Sequence, residues 1–130
     1  MKTLKYLVLA TLLLVLGIAH AQTSFSCSSY KICSIGDDGE IENVSDDVDS
    51  PTLFVVNEEE TEITLTNFEY TLKYKVKSSE TTELGVMFRV KDEDGGDSVI
   101  SFDVDNKLVG YTFTHEGEQY VMLYKVKAIF

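Results

Sequence analysis

Nine consecutive residues, Glu69 to Lys77 in the run E-Y-T-L-K-Y-K-V-K, alternate in character without interruption. In an extended chain Tyr70, Leu72, Tyr74 and Val76 share one side, and Thr71, Lys73, Lys75 and Lys77 share the other. A period of two in β-favouring residues is the pattern of a strand with one face in a core and one in water.

The remaining runs repeat that pattern between turn signals. Strands are expected over Ser29 to Ile35, Glu62 to Asn67, Leu84 to Lys91, Val99 to Val104, Leu108 to Thr114 and Gln119 to Phe130. A weaker edge strand is expected around Glu40 to Val44. Thr52 to Asn57 (T-L-F-V-V-N) is apolar enough to be buried on both faces. Gly36 to Gly39, Ser78 to Glu83, Asp92 to Asp97 and His115 to Glu118 read as turns, and Asp105-Asn106 as a tight one, since both residues tolerate left-handed backbone. Beyond residue 21 no segment carries apolar residues at helical spacing. Eight or nine strands joined by hairpin-length connections predict an all-β antiparallel meander: a small up-and-down barrel, with a two-sheet sandwich as the other architecture.

The first 21 residues are expected to lie outside this fold. Lys2 and Lys5 precede an apolar run of 13 residues, Tyr6 to Ile18, and Ala19-His20-Ala21 supplies a small-x-small cleavage pattern. A membrane span needs about 20 residues, so the run reads as a signal peptide, cut after Ala21, of a secreted or periplasmic protein. Residues 22–130 then form a single domain long enough to build its own core. Without Lys2 and Lys5, 9 basic residues face 22 acidic ones, a net charge of −13. Such a chain lacks the positive surface that nucleic acid or an anionic membrane requires.

Two cysteines follow, in C-S-S-Y-K-I-C. In an oxidising compartment Cys27 and Cys33 are expected to close as a structural disulfide, with free thiols as the alternative. Six residues of straight strand would hold their Cα atoms ~20 Å apart, whereas a disulfide needs ~5.5 Å. The bond therefore requires a turn near Ser28-Ser29.

Three patches, S-S-Y-K-I-C, L-F-V-V-N-E-E-E-T and the closing Y-K-V-K-A-I-F, resemble small exported bacterial proteins of uncharacterised function in the calycin class of barrels, which includes lipocalins. The resemblance implies a lipocalin-like barrel. The lipocalin Gly-x-Trp on the first strand is missing, because the chain has no tryptophan.

Chemistry-bearing constellations are sparse. The one histidine after residue 21, His115, sits in an expected turn with no nucleophile motif near it in sequence, so no catalytic residue is assigned and the expectation is a non-enzyme. Asp92, Asp94 and Asp97 surround Gly95-Gly96 and can offer oxygens to calcium, although Asp and Gly are also what a hairpin turn requires. Lys73, Lys75, Lys77, Arg89, Lys91, Lys125 and Lys127 fall on outward faces of three strands. If those strands adjoin, they make a basic stripe for a protein or glycan; the acidic segment Asp37 to Glu62 is a second docking surface. Inward aromatics are the leading feature. Tyr70, Tyr74, Phe88, Tyr111 and Tyr124 are the expected lining of a barrel cavity for a small apolar or amphipathic ligand, with the tyrosine hydroxyls as polar handles.

Overall fold

Nine strands occur among the described residues, which are 22–83 and 85–130 of the computed structural model. The signal-peptide reading of residues 1–21 lies outside them. In chain order the strands are β1 (Thr23–Ile35), β2 (Ile41–Glu42), β3 (Val48–Val56), β4 (Glu62–Thr66), β5 (Thr71–Thr81), β6 (Val86–Lys91), β7 (Asp97–Asp103), β8 (Leu108–His115) and β9 (Glu118–Ile129). Each of β3 to β8 pairs antiparallel with the next in sequence, β1 pairs with β3, and β1 pairs again with β9 from Phe25↔Ile129 to Ile35↔Gln119. That last pairing closes eight strands into a barrel, with β2 appended to the end of β1 at Ser34↔Glu42. Closure decides for the barrel over the sandwich and leaves no long open sheet edge.

Alternation fills the interior. Phe25, Phe54, Phe88 and Phe102 are almost fully enclosed, with Ile63, Val90, Ile100 and Val109 between them. The Phe102 ring stacks on Phe25 at 4.4 Å and meets Phe88 and Phe54 edge-on at 5.8 and 6.3 Å. Offset and edge-to-face pairs of this kind add to the stabilisation from burial itself. In the run that opened the sequence reading, Tyr74 is buried, Lys75 exposed and Val76 half-buried.

Several expectations are corrected. Tyr70 precedes β5 in a loop, and both it (47 % exposed) and Leu72 (40 %) are open to solvent. The cause is register: β6 reaches β5 only from Lys75↔Lys91 onward, so the first turn's length of β5 has β4 alone as neighbour. Strand β5 then continues through Ser78–Thr81, residues expected in a turn, after a register shift between Val76 and Ser78. The T-L-F-V-V run alternates, with Thr52, Phe54 and Val56 buried and Leu53 and Val55 half-buried, because β3 is part of a single-layered wall. Between β7 and β8 the left-handed residue is Lys107 (φ 55°), not Asp105 or Asn106; Asp103 holds that turn by accepting from the backbone N–H and side-chain amide of Asn106.

The expected disulfide is also overturned. Cys27 and Cys33 are both free and buried, and both belong to β1. No turn intervenes, so extended chain keeps them ~20 Å apart. A register irregularity between Cys27 and Ser29 gives them different surroundings. Phe25 and Cys27 join the core before it, and Tyr30 packs on the core after it, so β1 reverses phase at Ser28. Cys33, opposite Val121, lies outside that cluster.

Candidate functional site at the open end of the barrel

Antiparallel topology sorts the connections between two ends. One end carries the 57–61, 82–85 and 104–107 turns and both termini of the described chain, where Ser24 and Phe130 exchange backbone hydrogen bonds. The other end carries the long 36–47 connection, the 67–70 loop and the 92–96 and 116–117 turns. A cavity of about 260 Å³ opens at this second end.

Four elements build it: β1, β3, the 67–70 loop and β9. From β1, the phase reversal at Ser28 brings Tyr30 to the inner side, where its ring lies 5.5 Å from that of Tyr124 on β9, tilted by 46°. From the start of β3 come Asp49 and Thr52, the latter buried with its hydroxyl donating to the Ser50 carbonyl at 3.0 Å. The 67–70 loop supplies Phe68, Glu69 and Tyr70. Asn67 fixes that loop: its Oδ1 accepts from the Glu69 and Tyr70 N–H groups at 2.8 and 3.0 Å, and its own N–H donates to the Tyr70 carbonyl. Such an Asx turn preorganises the loop. Phe68 is consequently held out at the rim, 80 % exposed, a position in which a phenylalanine buries little of its surface.

Tyr124 forms the floor. Its hydroxyl donates to the Met122 Sδ at 3.7 Å, and burial, followed by the nearby Tyr70, Tyr30 and Tyr111 hydroxyls, pushes its ionisation above the usual tyrosine range. The floor is therefore a neutral phenol at physiological pH. Of the expected lining residues, the cavity brings together Tyr70 and Tyr124. Tyr74 and Tyr111 do not line it, their hydroxyls bonded to each other at 3.0 Å and their rings 5.7 Å apart, and Phe88 is sealed in the core. Sequence reading missed Tyr30 and Phe68. The first depends on a bulge that alternation alone does not reveal; the second stood in plain sight as an aromatic inside N-F-E-Y, a polar turn sequence.

The other candidates separate. Asp92 Oδ1 accepts from the Asp94 and Gly96 N–H groups at 2.9 and 2.7 Å, which is turn chemistry, and Asp97 pairs with Lys77 at 3.2 Å. Among the described residues no three His, Cys, Asp or Glu side chains gather in a metal-holding group. The seven basic residues split: Lys73, Lys75, Lys77, Arg89 and Lys91 lie on adjacent β5 and β6, whereas Lys125 and Lys127 lie on β9 with β7 and β8 between. Register also sets Glu62 opposite Lys75 and Asp97 opposite Lys91, so much of the cationic face is met by acids across the strands. A larger apolar hollow of about 510 Å³ lies by Met87, Leu108, Gly110 and Leu123, on the side of the sheet opposite the core residues Phe88 and Val109. Gly110 carries no side chain into it, and a Cβ there would stand 2.8 Å from the Ser101 Oγ. His115 is exposed at the end of β8, 3.9 Å from Glu116. No family model, curated protein or solved structure matches the chain, so the chemistry of the site rests on its own geometry.

Proposed function

We propose that the protein is an exported, non-enzymatic barrel that holds one small amphipathic molecule at its open end, between Tyr30, Phe68, Tyr70 and Tyr124. The observation that carries this reading is the exposed aromatic rim over a buried aromatic floor. Phe68 and Tyr70 are presented by a loop already locked by Asn67, so a ligand would gain their apolar surface without ordering the loop. A cavity of about 260 Å³ lies just below the size range common for drug-sized ligands, ~300 Å³ upward, and suits a molecule of roughly a dozen heavy atoms. Packed phenylalanines deeper in the barrel leave the mouth as the place for it.

Native mass spectrometry of protein isolated from its own source tests the reading. The expected spectrum contains an adduct of low mass that Tyr70→Ala loses. An adduct retained by Tyr70→Ala, or one that Leu108→Ala on the outer hollow removes instead, would reject the site.

A further inference from the structure

We infer that the molecule taken at the open end is a small organic cation, an ammonium compound whose positive group sits against the Tyr30 and Tyr124 faces between Asp49 and Glu69. This rests on the ligand-binding reading above and adds the ligand's charge to it. Two independent observations point the same way.

The first is the cavity wall. Tyr30 and Tyr124, tilted by 46° at 5.5 Å, form an angled pair of π faces, and Phe68 and Tyr70 add two more at the rim. Aromatic faces carry negative quadrupole charge and attract cations within about 6 Å of the ring centre, and several rings around one cavity are the recurrent device for alkylammonium groups. Asp49 and Glu69 line the same space, and neither carboxylate has a hydrogen-bond or ion-pair partner among the described residues. No lysine or arginine among the described residues lines the cavity. An anionic ligand would meet two carboxylates with no counter-charge there.

The second is the field at this end of the barrel. The 36–47, 67–70, 92–96 and 116–117 connections contain 11 acidic residues and no lysine or arginine; the three turns at the other end contain 5 acids and one lysine. Lys31, next to Tyr30 in the chain, pairs with Asp47 at 4.0 Å. The negative potential is therefore concentrated where the cavity opens, which raises the local concentration of cations and disfavours anions.

Isothermal titration with choline and with 3,3-dimethylbutan-1-ol, its neutral carbon isostere, separates charge from shape. The expected result is binding of choline at least tenfold tighter than the isostere, weakened as NaCl rises from ~20 to ~500 mM. That preference collapses in an Asp49→Asn, Glu69→Gln variant and persists in Glu59→Gln, on the turn at the opposite end. Equal affinity for the two probes would overturn the cation inference and leave the ligand-binding reading standing. Absence of binding by either, up to about 10 mM, roughly ten-thousandfold above a micromolar constant, would overturn both.

Discussion

Single residues at turns and in the core hold this barrel in unusual conformations, and the strain they carry is testable. Gly85 has φ +148°, and a Cβ there would stand 1.9 Å from the Phe102 carbonyl oxygen, so the backbones of the β5–β6 turn and β7 touch only because no side chain intervenes. Gly85→Ala is expected to cost more than about 2 kcal/mol in urea unfolding, because backbone, and not a flexible side-chain end, must move. The opposite sign is expected at the β8–β9 turn. Glu116 (φ 52°) and Gly117 (φ 81°) both adopt left-handed backbone between His115 and Glu118, the geometry of a two-residue hairpin turn that favours Asn-Gly. Glu116→Asn should raise stability by about 0.5 kcal/mol, read as a higher urea midpoint at unchanged slope. Titration in the core gives a third outcome. Burial pushes the Cys27 thiol up to about 12 from 9.0, and burial, then the Tyr111 hydrogen bond, pushes Tyr74 up as well. The unfolded chain releases these protons first as pH rises, so the folded state binds more of them and its stability falls with pH. Stability at pH 7 to 8 should therefore be flat with respect to Cys27 and decline between about 9 and 12; a Cys27→Ala variant should show a shallower decline in pH-dependent unfolding.

At the level of strands, alternation was legible and phase was not. Alternation and apolar runs placed a strand at each of the nine, although β1, β3 and β5 extend beyond their expected bounds, and acid- and glycine-rich breaks marked most of the turns, because each depends on residues adjacent in sequence. The β1–β9 closure joins residues about a hundred positions apart, and no local pattern encodes it. The phase reversals near Ser28 in β1 and Lys77 in β5 are likewise set by how strands tilt and close around a filled interior. That is why the cysteine expectation failed and why Tyr30 escaped notice: both follow from a strand that continues through Ser28 and shifts phase there. Deleting Ser28 should give strict alternation with Cys27 and Tyr30, then two positions apart, both still facing inward. Their signals in nuclear magnetic resonance spectra should remain those of enclosed groups. A Tyr30 ring turned to solvent would show that Ser28 is not the extra residue of the irregularity. Asp92, Asp94 and Asp97 teach the complementary point, since the composition of a calcium loop and of a hairpin turn coincide and only hydrogen-bond directions tell them apart.

Across the whole molecule, a sealed phenylalanine interior stabilises the barrel, and the open aromatic mouth is the part to which we assign recognition. The same division explains the charge. Acids crowd the connections at the open end, and the formal net charge of −11 for the full chain is carried largely by such loops. Self-repulsion of this size should make added salt modestly stabilising while it weakens capture of a cation, two opposite responses to one variable. The placement of the ligand is the claim on which the functional account turns. Amide shift mapping of the labelled protein during titration with tyramine, a small amphipathic amine, tests it most directly. The account predicts shifts concentrated at residues 30, 48–52, 67–70 and 122–124; shifts centred on Met87, Leu108 and Leu123, or spread over the β5–β6 face, would contradict it.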